Sequence, residues 1–320
     1  MRTDPRRRAA LFRALKAALA VLIVAALAVG AALVPYRLLL PAVPVSARAE
    51  GELRIHFLSV GQGDCTLVEF PSGAVVVVDA GDGSFANDGY VIRYLKGLAP
   101  RSVTLAATHA DADHFGGFAE ILRVFDVEKM ILPAVGAGTE AYRRLLAAVE
   151  REGCATETAV RYMSVLDGSG AYMVCLSPHF AGETDENESA AVFYLEYEGV
   201  RVVFSSDISA AREEALLAEY ALCGNIFDNG MLRVDLSGVD ILKTGHHGSA
   251  GATSAPWLGL LQPSAAVISC GAGNPYGHPA AETLARLSDA DAKIYRTDEL
   301  GTIVAVISDG TYTIDYGERT

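Results

Sequence analysis

The fold is decided by the stretch Thr108-His109-Ala110-Asp111-Ala112-Asp113-His114-Phe115-Gly116-Gly117. An apolar run, residues 103–107, precedes it and a helical pattern follows it, so the stretch is predicted to turn from a strand into a helix at the carboxyl edge of a sheet. Four potential metal ligands fall within six residues, and two consecutive glycines let the backbone turn tightly beside them. A single His-x-Asp is more often part of a solvated loop, but this cluster predicts a site for a pair of divalent ions.

Three other apolar strands are followed by His or Asp in the same way. They lead to Asp79 after residues 75–78, to Asp207 after residues 202–204, and to His246-His247 after a strand ending at Lys243. A single Asp after a strand is usually a turn residue. Because four strands repeat the pattern, the sequence predicts one shared site.

Strand-like runs recur through residues 50–320, and amphipathic helical stretches separate the later ones. Adjacent strands with interleaved helices predict a layered α/β architecture. No fixed-period repeat, low-complexity tract or internal boundary stands out, so residues 51–320 are predicted to form one domain. The five cysteines include no Cys-x-x-Cys pair, so neither a zinc knuckle nor a closed disulfide framework is expected.

The charge balance separates an N-terminal leader from the body of the chain. The protein is 51% hydrophobic and carries a formal net charge of −13, a composition that excludes a disordered or collagen-like chain. Residues 1–48 hold eight Lys and Arg against one acid, so the leader carries +7 and the remainder carries −20. The two parts therefore have to be interpreted separately.

The leader contains an uncharged run, Ala17 to Val34, of 18 residues. As a helix this run would be about 27 Å long, close to the ~30 Å hydrocarbon core of a bilayer. Its basic flank lies on the N-terminal side, which the positive-inside tendency keeps in the cytoplasm, so the body is expected outside the cytoplasmic membrane. Val45-Ser46-Ala47 has the residues of a signal-peptidase site but lies about a dozen residues beyond the run, so a retained single-pass anchor is favoured over a cleaved leader and a secreted body.

The predicted organisation follows from this division. It consists of a basic cytoplasmic segment at residues 1–16, a transmembrane signal-anchor at 17–34, a linker at 35–50 and the folded domain at 51–320. Prolines punctuate the linker, which is therefore predicted to be a stiff spacer off the membrane. The membrane is the one partner that the leader predicts, and no stable protein partner is inferred.

Together these motifs resemble the metallo-β-lactamase superfamily, and more closely its ComEC/Rec2-like branch, the hydrolase domain at the C-terminus of the bacterial competence protein ComEC. The likeness covers essentially all of residues 52–316. Besides the stretch quoted above, it includes Ser59-Val60-Gly61-Gln62-Gly63-Asp64, Asn187-x-Ser189, Gly245-His246-His247-Gly248-Ser249, Asn274-Pro275-Tyr276-Gly277-His278-Pro279 and Tyr295-Arg296-Thr297-Asp298. The resemblance implies a four-layered αβ/βα sandwich, here preceded by one transmembrane helix, with two divalent metal ions at one edge.

The resemblance also implies a role for each residue of the site. At the first metal it places His109 and Asp111, at the second Asp113, His114 and His246, and between the two metals Asp207. His247 and His278 are expected to face the substrate, one of them protonating the leaving oxygen, and with Asp113 they are the predicted catalytic residues. Behind the ligands or near the substrate it places Asp64, Asp79, Asn187, Ser189 and Lys243. Asp79 is expected to orient the ligand loop through hydrogen bonds.

Three positions depart from the family's pattern. The superfamily normally supplies a further His to the first metal, for which His179 is the candidate here unless it only begins a loop. Glu186-Asn187 stands where this branch tends to have paired Asn, so substrate contacts there are expected to differ. Asp111 replaces a second His and makes the first site richer in oxygen, so Mn²⁺ or Mg²⁺ competes with Zn²⁺ for it.

The resemblance implies a hydrolase in which a metal-bound hydroxide attacks a phosphorus or carbonyl centre. It favours a phosphodiester substrate, DNA in the simplest case. The charge of the body opposes this, because a net −20 repels a polyanion and only a local groove near Lys243, Arg286 and Arg296 is a candidate to offset it. A hydrolase of a cell-wall phosphodiester, lactone or β-lactam therefore stays open as an alternative, as does a non-catalytic binding protein, which the intact ligand set disfavours. A leader of this size is not expected to hold a multi-span channel, so the chain is not predicted to be a DNA-import pore by itself.

Overall fold

The computed structural model describes residues 16, 19–22, 36–178, 187–223 and 234–317. The chain divides into two compact units, Met1–Pro41 and Ala42–Thr320. A 3-10 helix, Tyr36–Leu39, belongs to the first unit. The predicted transmembrane segment lies outside the described residues except at 19–22, and no helix within the described part of the chain is long and apolar enough to cross a bilayer.

Two β-sheets form the centre of the second unit. The strands are, in chain order, β1 (Leu53–Phe57), β2 (Thr66–Glu69), β3 (Ala74–Val78), β4 (Ser102–Ala106), β5 (Lys129–Leu132), β6 (Ala155–Thr158), β7 (Ser164–Leu166), β8 (Tyr172–Ser177), β9 (Val192–Tyr197), β10 (Val200–Phe204), β11 (Ile241–Lys243), β12 (Ala265–Ile268), β13 (Lys293–Arg296), β14 (Thr302–Ser308) and β15 (Thr311–Gly317). Over the described residues, the first sheet has the order β15-β14-β1-β2-β3-β4-β5-β6 and the second the order β13-β12-β11-β10-β9-β8-β7.

Helices cover the outer face of each sheet. They are α1 (Phe85–Leu98), α2 (Ala112–Phe115), α3 (Phe118–Ile121), α4 (Glu140–Glu152), α5 (Ala210–Cys223), α6 (Ala255–Leu261), α7 (Ala281–Asp289) and α8 (Thr297–Leu300). Apolar side chains of α1 to α4 pack on the first sheet, and those of α5 to α7 pack on the second. A third apolar core lies between the two sheets, where the rings of Phe57 and Phe204 are 6.3 Å apart.

Strand β3 shows why its sheet is covered on both sides. Val76 and Val78 lie in the core between the sheets, whereas Val75 and Val77 lie in the core under α1 to α4. Because successive side chains of a strand alternate between its faces, an entirely apolar strand has to be buried on both. The predicted four-layered αβ/βα sandwich is thereby confirmed.

The loops that carry the predicted ligands meet at one edge of this sandwich. Strands β3 and β4 are parallel neighbours in the first sheet, as are β10, β11 and β12 in the second. Backbone hydrogen bonds join the loops that follow, from the amide of Asp64 to the carbonyl of Asp113 and from the amide of His246 to the carbonyl of Ser206. A Cβ on Gly117 would lie 2.3 Å from the carbonyl oxygen of Ala80, so only glycine allows the loops after β3 and β4 to approach so closely.

Part of the predicted linker belongs to the second unit, which begins at Ala42. Val43 is buried, and its amide donates to the carbonyl of Arg93 in α1. The guanidinium of Arg54 in β1 donates to the carbonyl of Ser46 at 2.7 Å. These bonds fix the part of the linker around Val43 and Ser46 to the body of the protein. The prolines of the linker had predicted a stiff spacer that holds the body off the membrane.

Candidate metal centre

Asp79, the residue that follows β3, is buried and makes three hydrogen bonds to the turn after β4. Its Oδ1 accepts from the backbone amide of Thr108 at 2.9 Å, and its Oδ2 accepts from the Thr108 hydroxyl and from Nδ1 of His114, each at 2.8 Å. Asp79 has a φ of 57°, a left-handed conformation in which Asp is found more often than most residues. Its carboxylate therefore fixes both the turn and the orientation of the His114 ring.

Three imidazoles have their Nδ1 atoms committed to oxygen acceptors behind the site. That of His114 donates to the carboxylate just described, and that of His247 donates to the carbonyl of Ser269 at 3.1 Å. The Thr108 hydroxyl gives its own hydrogen to the same carboxylate, so it accepts from Nδ1 of His109 at 2.9 Å. Each ring therefore carries a hydrogen on Nδ1, which leaves Nε2 as its metal-binding atom.

The Nε2 atoms converge on Asp207, in the loop after β10. Asp207 Oδ2 lies 3.5 Å from Nε2 of His114 and 3.7 Å from Nε2 of His247, while Asp113 Oδ2 lies 3.5 Å from that same His247 atom. His109, His114 and Asp207 form one group whose ligand atoms all lie within 4.8 Å of one another. Asp113, His114 and His247 form a second such group.

The donor atoms of this cluster fit divalent cations. Nε2 of His109, His114 and His247 and Oδ1 of Asp207 are buried, and none has a hydrogen-bond partner among the described residues. A buried polar atom without a partner costs about 1–3 kcal/mol, so four such atoms in one cluster are expected to be satisfied by a bound group. Imidazole nitrogens and carboxylate oxygens are ligands of Zn²⁺ and Mn²⁺. The two groups share His114, so they mark one cluster of ligand atoms for divalent cations.

The charges in the cluster are complementary. Burial opposes the charge on His114 and His247, but the carboxylate of Asp207 and its neighbours outweigh it and raise both pKa values, that of His247 to about 10. Burial also opposes the charge on Asp207, yet the adjacent imidazoles hold its pKa well below its ordinary value. Without a cation, protons on Nε2 therefore balance the Asp207 carboxylate.

His246 and His247 lie in a tight 3-10 turn, His246–Gly248, that sends the two rings to different environments. Both residues have positive φ, 48° and 52°, which is uncommon outside glycine. The ring of His247 is buried, whereas 38% of the His246 side chain is exposed and its Nε2 lies 3.6 Å from Asp207. The resemblance implies that His246 binds metal and that His247 faces the substrate. In the structure, however, His247 is the buried ring and His246 is the more exposed one.

Asp64 and Lys243 form a buried ion pair behind His247. Nζ of Lys243 donates to Oδ2 of Asp64 at 2.8 Å, and Asp64 Oδ1 lies 3.5 Å from Nδ1 of His247. Burial opposes the charge on Asp64, but Lys243 and His247 together lower its pKa below the ordinary range. Lys243 therefore stabilises a carboxylate inside the protein and is itself shielded from solvent.

The basic groove expected near Lys243, Arg286 and Arg296 is not formed by these cations. Lys243 is buried, Arg286 donates to the carbonyl of Thr253 at 2.9 Å, and Arg296 pairs with Asp298 at 2.6 Å. Lys243 and Arg296 are paired with carboxylates, Arg286 is held by backbone carbonyls, and all three are already counted in the charge of −20 on the body.

Asp111 and Asp113 are the exposed carboxylates of the cluster, with 42% and 41% of their side chains accessible. Asp111 Oδ2 lies 3.5 Å from Nε2 of His109. The ring centroid of His278 lies 6.0 Å from that of His246. Burial and then the neighbouring His246 lower the pKa of His278, so this ring is neutral near pH 7.

Asn187 and Ser189 adjoin the turn after β4, since the amide of Ala191 donates to the carbonyl of Thr108 at 2.9 Å. Ser189 is buried and Asn187 is half-buried. His179, the candidate for a further ligand of the first metal, and Glu186 lie outside the described residues. The expectations for His179 and Glu186 therefore stay predictions.

Two groups of the site were not predicted from the sequence. The Thr108 hydroxyl links His109 to Asp79, and the carbonyl of Ser269 holds His247. The position of Thr108, directly before the first His of the motif, is the one signal available for its role. A backbone carbonyl gives no signal, because every residue has one.

The sequence pattern of the Metallo-beta-lactamase superfamily matches residues 58–272 of the chain. This match covers more than half of the protein, and the matched residues include the strands whose ends carry the candidate metal centre. The chain therefore belongs to the metallo-β-lactamase superfamily, and its fold is that of the superfamily's metallo-hydrolases.

Within the superfamily the chain is ComEC/Rec2-like. It is 28% identical to ComE operon protein 3 of Bacillus subtilis over an alignment of 271 residues. This alignment covers 80% of this chain and 33% of that protein. It is 26% identical over 254 residues to Recombination protein 2 of Haemophilus influenzae, which covers 78% of this chain and 28% of that one. The chain thus spans about a third of the length of these relatives.

Among solved structures, the chain is similar to the metallo-beta-lactamase fold protein YhfI from Bacillus subtilis. The two are 9% identical with a TM-score of 0.47, over 83% of this chain and 100% of YhfI.

Metal binding is expected to release protons and to weaken as the pH falls. The raised pKa values of His114 and His247 mean that both rings hold an extra proton on Nε2 in the metal-free protein near pH 7. A cation binds only the neutral imidazole, so each of these protons has to leave. Titration calorimetry with Mn²⁺ in buffers of different ionisation enthalpy should therefore report the release of about two protons per chain.

Asp207→Asn is the informative variant for this measurement, and Asp315→Asn is its control. Removing the charge of Asp207 lowers both imidazole pKa values and removes a shared ligand, so both the proton release and the metal affinity should fall. Asp315 is exposed in β15, and its substitution should change neither. A binding enthalpy that does not depend on the buffer would show that the metal-free cluster is not protonated.

Proposed function

We propose that the chain is a metal-dependent phosphodiesterase that acts on nucleic acid at a dinuclear centre. The observation that carries this proposal is the convergence of three Nε2 atoms on Asp207, with each ring held through Nδ1 from behind. Membership of the superfamily supports hydrolysis. The name of one relative, Recombination protein 2, supports nucleic acid as the substrate.

The proposed division of the ligands is the one that the family resemblance implies. The first cation would be held by His109 and Asp111, the second by Asp113 and His114, and Asp207 would be shared. The clustering of His109, His114 and Asp207, and the 3.5 Å distance from Asp111 Oδ2 to Nε2 of His109, support one common centre. The burial of His247 and its 3.5 Å distance to Asp113 support giving it the ligand role that the family resemblance gives to His246. The partly exposed His246 then faces the substrate beside His278.

Divalent cations at this centre would supply Lewis acidity, which lowers the pKa of water and neutralises charge that builds up on phosphoryl oxygens. The protein's own part is to hold the ligands in place. Asp79 fixes the His114 ring, and the Asp64–Lys243 pair lies behind His247. Because His278 is neutral near pH 7, it is suited to donate or accept one hydrogen bond at the substrate.

A second candidate is a hydrolase of a different ester or amide, such as a cell-wall phosphodiester, a lactone or a β-lactam. The net charge of −20 on the body favours it, since this charge repels a long polyanion. The engagement of Lys243, Arg286 and Arg296 within the protein favours it further.

Hydrolysis assays with the full chain distinguish these candidates. With Mn²⁺ or Zn²⁺, we expect turnover of bis(p-nitrophenyl) phosphate and of single-stranded DNA, and none of nitrocefin. Asp113→Asn should lower kcat about 100-fold or more, because loss of an outer partner of a metal ligand alone costs 10–100-fold. Asp315→Asn, the exposed control, should keep wild-type activity.

Each other outcome of these assays has a defined meaning. Turnover of nitrocefin alone supports the second candidate, and an absence of phosphodiester turnover contradicts the first. Activity that Asp113→Asn leaves unchanged contradicts the metal assignment.

We also propose that residues 17–34 anchor the chain in the cytoplasmic membrane, with the domain on the outer side. The 18 uncharged residues and their basic N-terminal flank support this topology. The full chain should stay in the membrane fraction after an alkaline carbonate wash, and protease added to spheroplasts should degrade the domain. Release by carbonate contradicts the anchor, and protection from protease contradicts the topology. A soluble, secreted domain would show that the leader is cleaved.

A further inference from the structure

The loop after β12, residues 271–280, is built around the side chain of Asn274. Its Nδ2 donates to the carbonyls of Gly271 and His278, and its Oδ1 accepts from the amides of Tyr276 (3.2 Å) and His278 (3.0 Å). One side chain thus satisfies four backbone groups of the same loop. The conformation of the loop is therefore set before any ligand binds.

This loop is attached to the elements that carry the metal centre. The amide of Ala280 donates to the carbonyl of Gly248 at 2.9 Å, and the amide of Gly271 donates to Oε1 of Gln62 at 3.2 Å. A Cβ on Gly248 would lie 2.7 Å from Cβ of Pro279, so the loop and the His246–Gly248 turn are in close contact. The loop consequently holds a fixed position beside the candidate ligands.

Tyr276 lies on this loop with 69% of its surface exposed. Its ring stacks on the imidazole of His278, with centroids 5.9 Å apart and planes inclined by 17°. The His278 ring lies 6.0 Å from that of His246, whose Nε2 is 3.6 Å from Asp207. A row of three rings therefore leads from the exposed tyrosine to the metal centre.

We propose that Tyr276 is a stacking platform for an unpaired nucleobase next to the scissile phosphate. The proposal rests on the proposed phosphodiesterase function and deepens it, because it commits the site to substrates with an accessible flat ring. The Tyr276 ring is nearly parallel to that of His278, and with 69% of the residue exposed it has ring surface open to a base. A base in a duplex has both faces covered by its neighbours, so only a single strand offers this contact.

Stacking supplies affinity for a nucleic acid that does not require positive charge on the protein. The body carries −20, and Lys243 and Arg296 are paired with carboxylates, so these side chains add little attraction for the phosphates of a strand. A contact between two π-faces does not depend on the charge of the strand. Because every base has such a face, the contact tolerates any sequence.

Two substitutions of Tyr276 test the platform in the full chain with Mn²⁺. The substrate is a short single-stranded oligonucleotide, compared with one of equal length whose bases are removed around the cleavage site. Tyr276→Ala should raise KM for the base-containing strand roughly 5- to 150-fold, the range that stacking on one aromatic ring supplies, with a much smaller change in kcat. Tyr276→Phe should retain a KM close to wild type, because stacking needs the ring and not the hydroxyl.

The abasic strand separates stacking from a structural role of the loop. The wild type should bind it more weakly than the base-containing strand, and Tyr276→Ala should add little further loss, since the lost partner is already absent. Tyr162→Ala, at another exposed tyrosine, is the matched control and should leave both KM values unchanged. An equal loss on both strands would show that Tyr276 only shapes the loop, and so would overturn the proposal.

Binding measured by fluorescence anisotropy of labelled strands keeps the test independent of turnover. If Tyr276→Ala binds the base-containing strand as tightly as wild type does, the platform is wrong, whether or not the chain cleaves it. If the wild type cleaves phosphodiesters and the variant is unaffected, the platform fails while the proposed function stands. If no phosphodiester is cleaved although Tyr276→Ala loses affinity for bases, the platform stands and the proposed function fails.

Discussion

The hydrogen bond from Nδ1 of His114 to Asp79 is the constraint on which the rest of the metal centre depends. The same carboxylate takes the hydrogen of the Thr108 hydroxyl, which obliges that hydroxyl to accept from His109. One buried acid at the end of β3 therefore sets the tautomers of two rings carried by the turn after β4. Both rings then present Nε2 toward Asp207, and neither has another hydrogen-bond partner for that atom among the described residues.

The sandwich explains how this constraint is met. Parallel strands place their carboxyl ends side by side, so Asp79 and the turn after β4 are neighbours in one sheet, while Asp207 and His247 come from neighbouring strands of the other. Glycine at position 117 allows the closest approach of the loops. The apolar cores on both sides of the sheets leave the three imidazoles and Asp207 in a buried setting, where unpaired polar atoms are costly and charge pairs are strong.

The pattern of strands ending in His or Asp was enough to predict one shared site, and the resemblance was enough to predict the four layers. The different burial of His246 and His247 could not be predicted, because it depends on the positive φ of two adjacent residues that are chemically identical. The pairing of Lys243 with Asp64 joins residues 179 positions apart, and nothing in either local pattern indicates it. The contacts of Lys243, Arg286 and Arg296 could not be predicted for the same reason. The sequence shows which residues are basic, and only packing shows which carbonyls and carboxylates contact them.

Anomalous diffraction from crystals grown with Mn²⁺ would show whether Asp207 lies between two divalent cations, as we propose. We expect two peaks about 3.5–4 Å apart, as in other two-metal sites, with Asp207 in contact with both and with His109 and His114 bound through Nε2. A single peak remote from Asp207, or histidines bound through Nδ1, would contradict the proposal.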